Sequence, residues 1–452
     1  MIKILFNRWR GEPPLISFYA DYSYLNIKKW LSKLRLIILG ISLFLFFSGI
    51  LSVTNSMLFT LFLWFLAFLL MFLQSKYVKY LKEWSEKKFI IDRLLLELIV
   101  TNHLVDERIS TSVCFSYLEY DNEIIVIVFK LGDKFARKVE DLDVEIESAL
   151  HLPLSKKNIH YDKVEYLFRK FPAEREIIKV LPLESEDMSL KIFDNNSINL
   201  RSNFSTIISG VSGSGKSTLL YGLIGQYVSK TIKGKHARLY VHDSKMSDIY
   251  KHMLLAEMPE RQFGTTVKDA FSMLNELLEE LEHRKEIYTN SSEFDTVAMD
   301  LDLTSDVLEP VLYVIDEYPS LLGLMDSKQR TDWNKKLGNY LRLSRQLSMG
   351  AWLVLQQANA DETTGISTGL REQLVNKIYT GSEITAQSAQ MMFSRGVKEL
   401  PKVMDKYGGL LSIDSKEPVA FLSPSFAGDI NEILQPVLVN ASNNYKKFIK
   451  KC

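Results

Sequence analysis

Apolar positions fall into two unbroken runs near the start of the chain and into short periodic runs after it. Residues 36–53 and 57–73 are almost wholly apolar, with only Thr54-Asn55-Ser56 between them. Each run is near the lower length limit for a bilayer-crossing helix, so the pair predicts a helical hairpin. A single core helix would need about 38 residues and would contain Gly40 and Gly49. Residues 76–101 carry leucine and isoleucine at spacings of three and four, which predicts a helix. Runs 112–117 and 124–129 flank Asp121-Asn122, a hairpin signal. Residues 138–151 read as a helix ended before Pro153, and 164–171 and 177–181 as strands around Pro172. From 206 onward, strand runs at 206–208, 237–243, 310–316, 350–356 and 408–411 are separated by helical segments, the pattern of an α/β unit.

These runs divide the chain into five parts. They are an N-terminal segment (1–35), the apolar hairpin (36–73), a small α+β unit (74–195), an α/β unit (196–430) and a basic tail (431–452) read as a solvated end. The polar stretch Glu184-Ser185-Glu186-Asp187 is the expected boundary region before the α/β unit. The small α+β unit shows no chemistry of its own, and its expected role is a spacer or assembly module.

Charge orients the hairpin. Lys28, Lys29, Lys33 and Arg35 precede it, Lys76, Lys79, Lys82, Lys87 and Lys88 follow it, and the turn carries none. The positive-inside rule places both ends in the cytoplasm, making this a multi-pass cell-membrane protein. The first apolar run starts too deep for a cleaved signal peptide, and a second follows at once. Over the full 452 residues, 55 Lys and Arg balance 55 Asp and Glu, so bulk charge points to no partner. The two cysteines, Cys114 and Cys452, form no CxxC pair or disulfide framework. The histidines show no zinc spacing, and His236 and His242 read as strand-flanking residues.

The chemistry is concentrated in the α/β unit. Gly210-Val211-Ser212-Gly213-Ser214-Gly215-Lys216-Ser217, followed by Thr218, has the form G-x-x-x-x-G-K-[ST] between a strand and a helix. Glycines let backbone N–H groups turn toward phosphates, and a helix N-terminus adds a positive dipole end. Lys216 is expected to reach the β- and γ-phosphates of ATP, and the Ser217 hydroxyl to ligate Mg²⁺. The strand 310–316 ends in Asp316-Glu317, a Walker B pattern. Asp316 would hold Mg²⁺ through its water shell and Glu317 would polarise the attacking water. Gln356 ends another buried run, where a strand's carboxyl end meets ligands, and is expected to sense the γ-phosphate. Asp243 and Lys245 end a further strand and read equally as turn residues. Arg330, Arg342 and Arg345 lie on one helix. A solvated face is the default for them, and Arg342 or Arg345 is the candidate for a trans arginine.

Taken together, these motifs resemble the FtsK/SpoIIIE family of DNA-translocating ATPases. Beyond the nucleotide loop, Asp243-Ser244-Lys245 resembles the family's Asp-Pro-Lys, with serine in place of proline. Glu282-His283-Arg284-Lys285 resembles its Glu-x-Arg-Arg stretch. The run from Val314-Ile315-Asp316-Glu317-Tyr318 to Leu322 resembles its second acidic motif. Ser344-Arg345 and Gln356 match its Ala-Arg…Ala-Thr-Gln segment in spacing, with Leu355 in place of threonine and Gln357 where Arg-Pro is frequent. Gly408-Gly409-Leu410-Leu411 resembles its closing strand. The resemblance covers about residues 196–424.

What it implies is a RecA-like P-loop motor, working as a homo-hexamer around double-stranded DNA with ATP between subunits. Two short spans, a small middle unit and no room for a C-terminal reader domain resemble the FtsK-type coupling proteins of Gram-positive conjugative plasmids and integrative elements. That likeness implies relaxase and mating-channel proteins as partners. Chromosome partitioning and a non-translocating ATP-binding scaffold are the alternatives. The intact Asp316-Glu317 pair argues against the scaffold.

Overall fold

The computed structural model describes residues 13–20, 22, 27–52, 57–170, 174–194, 196–303, 307–356, 365–403 and 405–449. They belong to two units, Met1–Pro172 and Ala173–Cys452.

The first unit begins with two long apolar helices, α1 (Ile27–Ser52) and α2 (Met57–Lys88), packed on each other. Trp64 joins them: its indole N–H donates to the Phe46 carbonyl at 3.2 Å and its ring stacks on Phe46. Gly49 makes room for this contact, since a Cβ there would stand 2.6 Å from the indole nitrogen. The windows Ser32–Ile50 and Thr60–Tyr80 are long and apolar enough to cross a membrane. Their side chains are largely uncovered by the chain, with Phe44 at 71% and Phe68 at 65% exposure. The expected turn at 54–56 lies outside the described residues.

Helix α3 (Ile90–Thr101) follows, so the helix expected over 76–101 is broken at Phe89. Strands β1 (Cys114–Glu119) and β2 (Glu123–Phe129) form the expected hairpin. After α4 (Asp143–Leu150) come β3 (Leu154–Ile159) and β4 (Lys163–Arg169). The four strands make an antiparallel sheet in the order β1-β2-β4-β3. Alternation on β2 turns Ile124, Val126 and Val128 onto Leu95, Leu98, Ile99 and Ile146 of the helices. The helix expected at 138–151 is a 3₁₀ turn, Lys138–Asp141, and then α4, stopped by His151 in the left-handed region at φ 55°. Strand β3 escapes the sequence pattern because its centre, Ser155-Lys156-Lys157-Asn158, is polar. It is an edge strand, where lysine discourages further pairing.

The strand expected at 177–181 shortens to Ile177–Ile178 and pairs in parallel with Ser425–Phe426 of the second unit. A short apolar run carries no record of its partner, so the sequence pattern could not place it. The second unit then forms a small hairpin, β5 (Ser189–Phe193) and β6 (Asn196–Asn199). An alternating series follows: β7 (Thr206–Gly210), α5 (Lys216–Val228), β8 (Arg238–Asp243), α6 (Asp248–Leu255), β9 (Phe263–Gly264) and α7 (Val267–Asn290). Next come β10 (Val311–Asp316), α8 (Tyr318–Leu324), α9 (Ser327–Ser344), β11 (Met349–Leu355), α10 (Thr368–Gln373) and β12 (Asn376–Thr380). Helix α11 (Ala386–Phe393), β13 (Gly408–Ser412), β14 (Val419–Leu422) and α12 (Ile430–Ile449) complete it.

Eight strands form one sheet in the order β9-β8-β10-β11-β7-β12-β13-β14, parallel through β12 and antiparallel after it. Strand β11 lies between the loop-bearing β7 and the carboxylate-bearing β10, the RecA-like arrangement of a P-loop α/β fold. Both faces are covered, so the central strands are apolar throughout. On β10, Leu312 and Val314 enter the core under α5 and α12, while Val311, Tyr313 and Ile315 enter the one under α7 and α9.

The segment after residue 430, expected as a solvated tail, is helix α12. It packs on α5 and α6 and buries Leu434, Val437, Leu438, Ala441 and Tyr445 in the core. The lysines near its end drew attention to charge and away from an amphipathic stripe at helical spacing.

Candidate nucleotide-binding site

The loop between β7 and α5 is shaped by its glycines. Gly213 and Gly215 hold φ of 78° and 93°, a region in which a side chain would be strained. Gly210 ends β7 directly against Thr380 of β12, where a Cβ would collide with both the carbonyl and the hydroxyl. Ser214 is buried and pins the loop from below. Its hydroxyl lies 2.7 Å from the Val211 carbonyl and 2.7 Å from Thr380 Oγ1. No side chain caps the start of α5. An uncapped helix N-terminus beside turned loop amides is suited to an anion.

Above this floor is a cleft of about 450 Å³. Val211, Ser212, Gly213, Gly215, Lys216, Ser217 and Thr218 line it from the loop side. Lys245, Asp316, Glu317 and Gln356 line it from the carboxyl ends of β8, β10 and β11. Gly210 and Ser214 shape the loop from beneath and do not line the cleft. The sheet brings the remaining residues together because its parallel strands end on one edge.

Charge within the cleft is crowded. Asp243 and Asp316 are register partners on adjacent strands. Ser247 bridges them, its hydroxyl donating to Asp243 at 2.7 Å and to Asp316 at 3.2 Å. Burial raises the Asp316 carboxyl to about 6, and the neighbouring Asp243 adds to the rise. Asp243 is fully buried and also closes the following turn, accepting from the backbone N–H groups of Lys245 and Ser247. It is therefore a turn residue that neighbours the cleft carboxylate Asp316 without lining the cleft itself.

Lys216 reaches across the cleft to the Leu355 carbonyl at 2.9 Å and lies 3.7 Å from Glu317. Burial lowers its ammonium below the ordinary lysine range, and Glu317 only partly restores it. Glu317 starts α8 with φ 52°, an uncommon backbone region for a non-glycine residue. Its other carboxylate oxygen is 3.2 Å from Lys245. Sequence reasoning named Glu317 and Lys245 separately and missed their pairing, as it missed Ser247.

These residues fit a nucleotide and its cation. A half-buried lysine above an uncapped helix end calls for phosphate, and Asp316, paired in register with Asp243, calls for a cation in the cleft it shares with the exposed Ser217. Among the described residues, no group of three or more His, Cys, Asp or Glu forms a metal site by itself. His236 and His242 are buried and bonded to the carbonyls of Val228 and Thr266.

Arg345 is not in the cleft. It is exposed at the end of α9, before β11 begins, whereas Gln356 follows β11. Seven strand residues at ~3.3 Å each put it roughly 20 Å away, on the opposite edge of the sheet. Arg342 is exposed and bonds to Asn339. Arg284, from the stretch 282–285, is fully buried and bonds to the carbonyls of Glu309 and Leu347. It ties the starts of β10 and β11 together, at the end of those strands opposite the cleft.

Residues 187–331 match the model of the FtsK/SpoIIIE family. That segment is of FtsK/SpoIIIE type. It is a P-loop ATPase unit that binds ATP. The match runs from the β5 region into α9, so it includes the loop and Asp316-Glu317 and stops before Arg345 and Gln356. Among solved structures, the chain is similar to the pCW3 conjugation coupling protein TcpA, monomer form with ATPγS. Identity is 18% and the TM-score 0.46, over 75% of this chain and 96% of that one. It is similar to EssC (ATPases 2 and 3) from Geobacillus thermodenitrificans at 16% identity and TM-score 0.44, over 62% of this chain and 52% of that one. It is also similar to the cytoplasmic domain of the Thermomonospora curvata Type VII secretion ATPase EccC, at 17% identity and TM-score 0.42, over 58% and 31%. No curated protein matches this chain in sequence.

Proposed function

We propose that this protein is a membrane-anchored, ATP-driven translocase of double-stranded DNA that acts as a coupling protein in conjugative transfer. One observation carries the reading: Lys216, Asp316 and Glu317 share one cleft within a segment of FtsK/SpoIIIE type, in a chain that also carries two span-length apolar helices. Residues 36–73 would form the membrane hairpin with both ends cytoplasmic. Residues 74–195 would stand between membrane and motor, and 196–430 would be the motor. TcpA is described as a conjugation coupling protein; the same role is proposed here.

In this reading the loop amides and Lys216 hold the phosphates of ATP. Ser217 and Asp316 would hold Mg²⁺, which supplies charge neutralisation when bound. Glu317 accepts the proton of the water that attacks the γ-phosphorus, and ADP leaves. Gln356, at the mouth of β11, orients toward the γ-phosphate. Arg345 cannot serve its own cleft, so its proposed role is at the cleft of an adjacent copy in a homo-hexamer. Relaxase and mating-channel proteins are the proposed partners.

The test is ATP hydrolysis by the full-length protein in detergent or liposomes, with and without double-stranded DNA. DNA-stimulated turnover that disappears in Lys216→Ala supports the reading. Turnover stimulated by a secretion-signal peptide and indifferent to DNA would replace it with protein export. A plasmid-transfer assay with Glu317→Gln separates a motor from a scaffold, since a scaffold would keep transferring.

A further inference from the structure

The cleft has a second end that the phosphate chemistry does not use. Tyr407, immediately before β13, lines the same cavity as Lys216 and Gly215. Its ring lies 3.7 Å from where a Cβ of Gly215 would stand, so it begins beside the last glycine of the loop. The Arg175 guanidinium stacks on the ring at 3.9 Å from its centroid. Arg175 is itself fixed, donating from Nε to the Ser423 carbonyl and from Nη2 to the Pro424 carbonyl, both at 2.9 Å. The exposed Lys406 places its ammonium 5.3 Å from the same ring.

Strand order gives this aromatic its meaning. From β7, the carboxylates of Asp316 and Asp243 lie two and three strands to one side, on β10 and β8. Tyr407, at the start of β13, lies two strands to the other side and at the same edge, because β13 is antiparallel and its first residues pair with the end of β12. From β10 to β13 is four strand spacings of ~4.8 Å, about 19 Å. A nucleotide whose γ-phosphate points toward Glu317 must extend its base the other way, toward Tyr407.

We propose that Tyr407, backed by Arg175, is a stacking platform for the purine base of the bound nucleoside triphosphate. The proposal rests on assigning the cleft to ATP. The ring is amphipathic and held by a clamped cation, so little side-chain freedom remains to be lost on stacking. Stacking on a π-face does not discriminate one purine from another. The platform therefore adds affinity for a base without selecting adenine over guanine.

The experiment compares two probes, MgATP and Mg-tripolyphosphate, by equilibrium binding to the full-length protein and to Tyr407→Phe and Tyr407→Ala. The expected result is a roughly tenfold weaker affinity for MgATP in Tyr407→Ala, the loss typical of a base–aromatic stack. Tripolyphosphate affinity should be unchanged, and Tyr407→Phe should bind both probes as the wild type does. Equal weakening for both probes means that Tyr407 only supports the loop, and it overturns the proposal. Unchanged MgATP affinity in Tyr407→Ala also overturns it. A wild-type protein that binds neither probe overturns the ATP assignment and the platform with it. One that binds tripolyphosphate as tightly as ATP overturns the platform alone.

Discussion

Lys245 Nζ lies 3.2 Å from Glu317 Oε2, and this pairing ties the end of β8 to the residue that begins α8. A carboxylate engaged by an ammonium is a poorer acceptor for a water proton than an unengaged one. The contact therefore restrains the group proposed as catalytic base. Lys245 is about half exposed, so the pair can open without unfolding anything. Lys245→Met should raise ATP turnover without DNA several-fold and shrink the stimulation by DNA. Steady-state hydrolysis with and without DNA measures both, and a fall in basal kcat with unchanged KM would contradict the restraint.

Glu317 and Lys216 should separate chemistry from binding. Glu317→Gln keeps the shape of the side chain and removes the proton acceptor. It is expected to lower kcat by roughly 10²–10⁴ while ATP affinity stays within a few-fold. Lys216→Ala removes the half-buried ammonium in the cleft and should lose measurable ATP binding itself. Fluorescent-nucleotide titration beside a phosphate-release assay distinguishes the two outcomes.

Gly215 should tolerate no side chain. Its φ of 93° strains any L-residue, and an added Cβ would press within 3.0 Å of the Ser423 Cβ. Gly215→Ala is expected to cost on the order of 1–2 kcal/mol and to displace the loop amides. Thermal unfolding should show a modest fall in Tm, and ATP should no longer raise it.

Stability at low pH should depend on Glu280. Burial would raise its carboxyl, but Arg284 and Arg238 override that and hold it at about 2, against an ordinary value of 4.5. Both arginines bond to it, at 2.8 and 3.0 Å. A lowered carboxyl contributes stability that is complete above its unfolded value and lost as pH falls through its folded one. The difference corresponds to about 3 kcal/mol, lost between pH 4.5 and 2. Glu280→Gln should be less stable at neutral pH and show a flatter dependence in that window, checked by chemical denaturation from pH 2 to 7. Equal acid sensitivity in both proteins would place the contribution elsewhere.

The two ends of the Glu280 contact illustrate how much was legible beforehand. Arg284 falls in a stretch whose resemblance suggested a family motif, yet nothing in its neighbours says that it is fully buried. Its bonds go to Glu309 and Leu347, 25 and 63 residues downstream, and only the sheet brings them together. The same holds for Tyr407, nearly 200 residues from the loop whose cleft it shares. Its one sequence signal was an aromatic just before a glycine-led strand, at the edge where ligands bind.

By itself, the sequence determined whatever is encoded locally. Gly213 and Gly215 dictate a loop that only glycines can make. The apolar run ending at Asp316-Glu317 dictates a buried strand with carboxylates at its mouth. The runs at 36–53 and 57–73 dictate two long helices that the chain leaves largely uncovered. Tertiary structure alone decided which of these meet. Strand order placed β11 between the loop and the carboxylates and set Asp243 beside Asp316. It left Arg345 at the far edge, drew Ile177–Ile178 onto Ser425–Phe426 and folded the basic tail into a core helix. The physical reason is that local pattern fixes conformation and burial, whereas pairing across a sheet depends on contacts between residues far apart in the chain, which no window of sequence contains.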